Sequence, residues 1–172
     1  MKPPINLINN KKNAYNLLFC LLLAILILIP YYQVKNFGFI SLDDGLYVSK
    51  NMHVQNGIKI SEIKWAFLNF DSSNWHPITW LSHMFDCELY GLNPSGHHWT
   101  NLLIHIANSL LLFFILFHMT GFYWRSFLVA ILFAIHPLHV ESVVWISERK
   151  DVLSTLFFML TLGAYYGFVK KK

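Results

Sequence analysis

The sequence predicts an all-α integral membrane protein with about four transmembrane helices and a large non-cytoplasmic first loop. Three observations lead there. The 172 residues are 55% hydrophobic and only 13% charged, about half the charge of a soluble protein, which is near 25%. The apolar residues collect in runs of membrane length, with the charges between the runs. Those charges also sort by side. With the N-terminus in the cytoplasm, residues 1–13, 122–125 and 170–172 hold seven of the 13 Lys and Arg and no acid, while the opposite side holds all nine Asp and Glu. This positive-inside bias recurs at three separate places.

Residues 14–32 (AYNLLFCLLLAILILIPYY) form the first span. Lys2, Lys11 and Lys12 precede it, and the stretch 17–29 has the length of a signal-peptide core. No small-x-small cleavage site follows, so an uncleaved signal anchor is expected. Residues 33–100 make the large loop. Within it 60–68 (ISEIKWAFL) predicts a short amphipathic helix lying on the membrane, with Ser61 and Lys64 one residue type away from a capping box. Trp75, Trp80, Phe85 and Trp99 suit an interfacial aromatic belt. The turn 91–96 (GLNPSG) leads into a second span at 101–121, which carries His105, Asn108 and His118. A third element, 126–151, is apolar through Ile135. It then meets Pro137, which should break or kink it, so that it continues as a tilted or interfacial segment. A fourth span at 152–169 precedes the cytoplasmic tail 170–172. No internal repeat is visible, and a disulfide between Cys20 and Cys87 is not expected, because Cys20 lies inside an apolar run.

Four groups of residues could carry chemistry. Asp43 and Asp44 follow the first span directly. Carboxylates beside a membrane are costly to desolvate, so they have a task or a partner: a proton acceptor, a cation ligand, or an Asx turn near Gly45. Glu141 and Glu148 are seven apart, on one face of a continuous helix, and belong to the same membrane face as the acidic pair. Arg149 and Lys150 follow, and cations there could stabilise a departing lipid phosphate or simply pair internally. His136, His139 and Glu141 could bind a divalent metal, although their spacing matches no established zinc site. A haem bundle would need a second span matching His105 and His118. There is no Gly-rich phosphate loop, CxxC or GxSxG motif, and the net charge of +4 flanks apolar runs instead of forming a patch, so nucleic-acid binding is not expected.

Taken together, the ordered stretches 41–48 (SLDDGLYV), 74–87 (NWHPITWLSHMFDC), 96–105 (GHHWTNLLIH) and 133–154 (FAIHPLHVESVVWISERKDVLS) resemble the transmembrane-and-TPR O-mannosyltransferase-like family over about residues 34–168. The resemblance implies a part of a GT-C-like membrane glycosyltransferase fold. It implies transfer of a mannose-like sugar from a polyprenyl-phosphate donor to protein Ser or Thr hydroxyls, on the non-cytoplasmic side of the bacterial inner membrane or endoplasmic reticulum. Asp43 or Asp44 would be the base, and Glu141, Glu148, Arg149 and Lys150 would line the donor cavity. The need for a divalent metal is left open. Family members carry more spans and then a TPR array, so a fragment or one chain of a split enzyme is expected. The rival expectation is a non-catalytic membrane scaffold, in which His105 and Asn108 serve helix association with a partner chain that supplies further spans.

Overall fold

A computed structural model describes residues 5–70 and 74–171, with side chains from residue 14. Eight α-helices are described, and no strand is present among these residues. They are α1 (Ile5–Tyr31), α2 (Met52–Gln55), α3 (Ile60–Leu68), α4 (Pro77–Tyr90), α5 (Pro94–Thr120), α6 (Tyr123–Ala134), α7 (His139–Val144) and α8 (Arg149–Lys170). The all-α membrane class holds. Three helical stretches, Ala14–Asn36, Pro94–Thr120 and Ile146–Lys170, are long and apolar enough to cross a bilayer, and Tyr123–Ala134 is a shorter apolar helix.

Contacts along the bundle give its course. Tyr15 and Phe19 of α1 meet Tyr123 at the start of α6, and Tyr31 at the other end meets His105. At one end of α8 Arg149 bonds Asn101, and at the other Tyr166 bonds the carbonyl of His118. So α5 and α8 run parallel, and α1 runs against both. The chain between α5 and α8 must therefore return to the starting level. It does so in two pieces, α6 and then α7, broken at 135–138 around Pro137 as the sequence implies. Twelve residues of α6 rise only about 18 Å, too little for a bilayer core of about 30 Å. The break is tolerated because His105 Nε2 lies 2.8 Å from the Ala134 carbonyl that the ending helix frees, and a backbone acceptor inside a membrane needs such a partner.

Several boundaries differ from the sequence reading. The second spanning helix starts at Pro94, seven residues early, because Asn93 Oδ1 caps the Ser95 N–H at 3.1 Å and Pro94 occupies the first helical turn. Gly96 is already helical and lies against Tyr90, where any added Cβ would collide with the ring. The same helix ends at Gly121, whose φ of 75° gives the left-handed cap that glycine takes at low cost. α3 covers 60–68 as expected, but Lys59, not Ser61, precedes its first turn, and no side chain caps it. Its faces are inverted relative to a water-soluble surface helix: Glu62 and Ala66 point inward while Ile60, Phe67 and Leu68 are exposed. His53 accounts for the buried carboxylate, at 2.6 Å from Glu62, and holds it below its ordinary range. Trp80 does not join an interfacial belt; it is fully buried, whereas Trp75 and Phe85 are exposed.

Two cores result. One lies in the bundle, around Leu23, Ile27, Leu102, Phe113, Ala130 and Ala134. The other lies under the large loop, around Tyr47, Val48, Val54, Trp80, Met84 and Ile146. Both cysteines are free, and burial pushes the Cys87 thiol up to about 11, which leaves it unreactive at neutral pH.

Candidate functional site

The two adjacent aspartates have opposite surroundings. Asp44 is fully buried. Its Oδ2 accepts the Ile40 N–H at 2.8 Å, and its Oδ1 accepts both the N–H and the hydroxyl of Ser147, at 3.1 and 2.5 Å. With three hydrogen bonds it ties the loop to the 3₁₀ turn Ile146–Glu148. Asp43 is only half-buried and takes no part in that tie. The chain then makes a wide π-type turn, Gly45–Ser49, closed by the Lys50 N–H on the Gly45 carbonyl at 2.8 Å. Such turns are rare and gather at functional sites.

That turn delivers Tyr47 into the loop core, where its ring stacks on His76 at 5.4 Å and on Trp80 at 4.9 Å. Lys150 Nζ stands 5.7 Å from the Tyr47 ring centre and pairs with Glu148 at 2.9 Å. Asp43, Glu148 and Lys150 all act electrostatically on Tyr47, whose phenol is raised above its ordinary value, first by burial. His76 is lowered by burial and then by Lys150, so it is neutral at pH 7. Asp43, Tyr47, His76, Glu148 and Lys150 thus form one cluster, with Asp43 and Lys150 both partly open.

Arg149 does not belong to that cluster. It is fully buried, and its guanidinium is spent on structure. Nε donates to Asn101 Oδ1 at 2.7 Å, Nη1 to the Ser82 carbonyl at 3.2 Å, and Nη2 to the His97 carbonyl at 2.9 Å. Nη2 also lies 2.6 Å from Asp86 Oδ2, a contact that is ionic but poorly directed, since that oxygen lacks an aligned donor. Asp86 Oδ1 accepts from Thr100. The expectation that Arg149 steadies a leaving phosphate is corrected on this ground: its donors face inward. The shared helical face of Glu141 and Glu148 is corrected too. Trp145 is extended between them, so Glu141 is exposed on α7 while Glu148 turns toward Lys150.

The histidines are mostly structural. His105 caps α6, and His98 lies 3.4 Å from the Gly38 carbonyl, pinning the loop to α5. His105 and Asn108 bond within this chain, to Ala134 and Val152. Among the described residues no three His, Cys, Asp or Glu side chains converge as metal ligands. His136 and His139 rings are 6.2 Å apart, and Glu141 joins neither.

Tyr47, Asp86 and Ser147 were missed as site or support residues. A Tyr three residues past an acidic pair has no chemical signature of its own. Asp86 and Ser147 reach their decisive partners, Arg149 and Asp44, across 63 and 103 positions.

The same stretches recur in known proteins. Human protein O-mannosyl-transferase TMTC2 is 37% identical over 93 residues, 54% of this chain and 11% of that protein. Mouse protein O-mannosyl-transferase TMTC1 is 30% identical over 138 residues, 72% of this chain and 14% of that protein. A Caenorhabditis elegans protein O-mannosyl-transferase is 29% identical over 153 residues, 83% of this chain and 22% of its own length. Over these stretches the chain is similar to the TMTC protein O-mannosyl-transferases. It spans between about a tenth and a quarter of the length of these relatives. No family model matches, and no solved structure matches.

Proposed function

We propose that this chain forms the acceptor-side wall of the catalytic centre of a membrane glycosyltransferase. The reaction moves a mannose-like sugar from a polyprenyl phosphate to a protein Ser or Thr hydroxyl. One observation carries the reading: of two adjacent carboxylates, Asp44 is locked while Asp43 is left partly open and acts on Tyr47, the ring that Lys150 stands over. Asp43 accepts the hydroxyl proton, the hydroxyl oxygen bonds to the sugar's anomeric carbon, and the bond from that carbon to the phosphate oxygen breaks. Lys150 is the cation best placed to offset the charge on the departing phosphate. Asp44 and Ser147 hold the loop so that Asp43 keeps its place. The relatives' names support the reaction class. The charge asymmetry supports a multi-pass orientation with this cluster on the non-cytoplasmic face and both ends of the chain in the cytoplasm. The site is completed by membrane segments beyond the stretch described.

The test is sugar transfer to Ser/Thr peptides by membranes carrying this chain joined to the remaining segments of a relative. Asp43→Asn is expected to abolish transfer at normal protein level, and Asp44→Asn to lower protein level as well. Full turnover in Asp43→Asn sinks the base assignment.

A second reading, a subunit that scaffolds a partner, draws on α8. Only 11% of its apolar window is buried in this chain, less than for the other two long helices, which leaves most of its surface for lipid or further helices. Co-purification of a partner supplying those helices, with no effect of Asp43→Asn on transfer, would favour it.

A further inference from the structure

The cavity between α5, α6, α7 and α8 has no role in the reaction proposed above. It holds about 230 Å³, and its polar lining includes His105, Asn108, His139, Ser142, Asp151 and Thr155. None of these is in the acidic loop.

Apart from the Thr155 hydroxyl and one nitrogen of the His139 ring, its free polar atoms are acceptors. Asn108 is 1% exposed. Its amide nitrogen donates to the Val152 carbonyl at 2.8 Å, which decides which end of the amide is oxygen. That oxygen, Oδ1, is buried and has no donor. His105 Nε2 faces the Ala134 carbonyl, and a carbonyl only accepts, so Nε2 carries the ring proton and Nδ1 keeps a lone pair. Asp151 Oδ2 accepts from Ser142 at 2.9 Å, and an ionised carboxylate has about four acceptor positions. The Ser154 hydroxyl, also lining the cavity, is turned to the Asp151 carbonyl at 3.0 Å. No Lys or Arg lines the cavity.

A cavity with one carboxylate, a buried orphan carbonyl oxygen and few donors repels anions. It also suits a polyol poorly, because a polyol needs donors as well as acceptors. A cation fits. The volume matters here: one water occupies about 30 Å³ of liquid, so an ion and several of its waters can be held together. The absence of three converging His, Cys, Asp or Glu among the described residues argues against a compact zinc-type site. Mg²⁺-class ions keep several waters and need only one or two carboxylates.

We propose that this cavity binds a hydrated, hard divalent cation, with Asp151 as its charged ligand and Asn108 Oδ1 as its buried neutral one. The site is separate from the Asp43 cluster. Of the three metal ligands expected from sequence, only His139 lines it; His136 and Glu141 are exposed. The cation would link the start of α8 to α5 and α7.

The test uses the full chain in lipid nanodiscs, with Mn²⁺ as a paramagnetic probe titrated by electron paramagnetic resonance. One saturable site, competed by Mg²⁺, is expected. Asp151→Asn preserves shape and should weaken Mn²⁺ binding by about tenfold or more. Ser154→Asp adds a second carboxylate one turn along α8 and should tighten it several-fold. Asp43→Asn should leave it unchanged, which separates this site from the catalytic reading. The proposal is overturned if wild type shows no saturable Mn²⁺ binding in the millimolar range, if Asp151→Asn binds as well as wild type, or if Asp43→Asn abolishes binding.

Discussion

Arg149 and Lys150 are neighbours in sequence and opposites in circumstance. Arg149 closes a buried knot with Asp86, Asn101, Thr100 and two backbone carbonyls, and no direction is left from which a substrate could reach it. Lys150 has one carboxylate partner, an aromatic ring below it and a side chain about one third exposed. The same contrast separates Asp44 from Asp43. In each pair one charge holds the fold and the other stays partly open. Residue type and spacing do not distinguish them, whereas the number of satisfied hydrogen bonds does.

The largest expected effect comes from breaking the knot. Removing one partner of a buried ion pair costs about 3–5 kcal/mol, so Asp86→Ala or Arg149→Met should collapse the yield of folded protein and the thermal transition in detergent. Near-native stability of either variant would mean that the knot is not as isolated from water as its burial indicates. Next comes Asp44→Ala, which orphans the Ser147 and Ile40 donors and should cost about 1–3 kcal/mol. Asp43→Asn should change unfolding by less than about 0.5 kcal/mol, as for a residue outside such networks. Equal destabilisation by the two variants would erase the comparison.

A pH series sharpens it further. His83 is fully buried beside Arg149, with neither ring nitrogen hydrogen-bonded. Burial, and then Arg149, holds its pKa well below the ordinary 6.5. The unfolded chain therefore takes up a proton near pH 6.5 and the folded chain does not. Stability should fall as pH drops below about 6.5, with a slope of up to about 1.4 kcal/mol per pH unit from this group. His83→Gln should flatten that slope in urea titrations at successive pH values. An unchanged slope would move the titration to another histidine. A comparably small stability effect is expected for Lys150→Gln, a partly exposed pair worth about 0–1 kcal/mol; its consequence should appear as weaker use of the lipid-phosphate donor.

Much of the fold was legible because membrane helices announce themselves by composition. Runs of apolar residues near 14–32, 101–121 and 152–169 need no partner to be recognised, and Pro137 marks the break between α6 and α7 by its missing N–H. The amphipathic signal at 60–68 located α3. What was not legible depends on pairing at a distance. Asp44 meets Ser147 across 103 positions, and Arg149 meets Ser82 across 67; neither distance leaves a local pattern. The assignment of Arg149 to a phosphate failed for this reason, since an arginine at the end of a span has the same sequence signature whether it faces a ligand or a buried aspartate. Trp80 was misplaced likewise, because a tryptophan in a loop looks interfacial until Tyr47 and His76 are found stacked on it.

The shortness of α6 has a consequence for how the protein is made. A twelve-residue apolar helix is too brief for the translocation machinery to recognise as a stop on its own. Its last carbonyl becomes tolerable in lipid only once His105 of the preceding helix is beside it. Entry of the two as a hairpin, with α6 carried in by α5, is the expected outcome, to be checked by glycosylation-site mapping of nascent chains cut after α6. A defect at His105 would then be felt at biogenesis, as a misrouted segment, before any question of folding stability or catalysis arises.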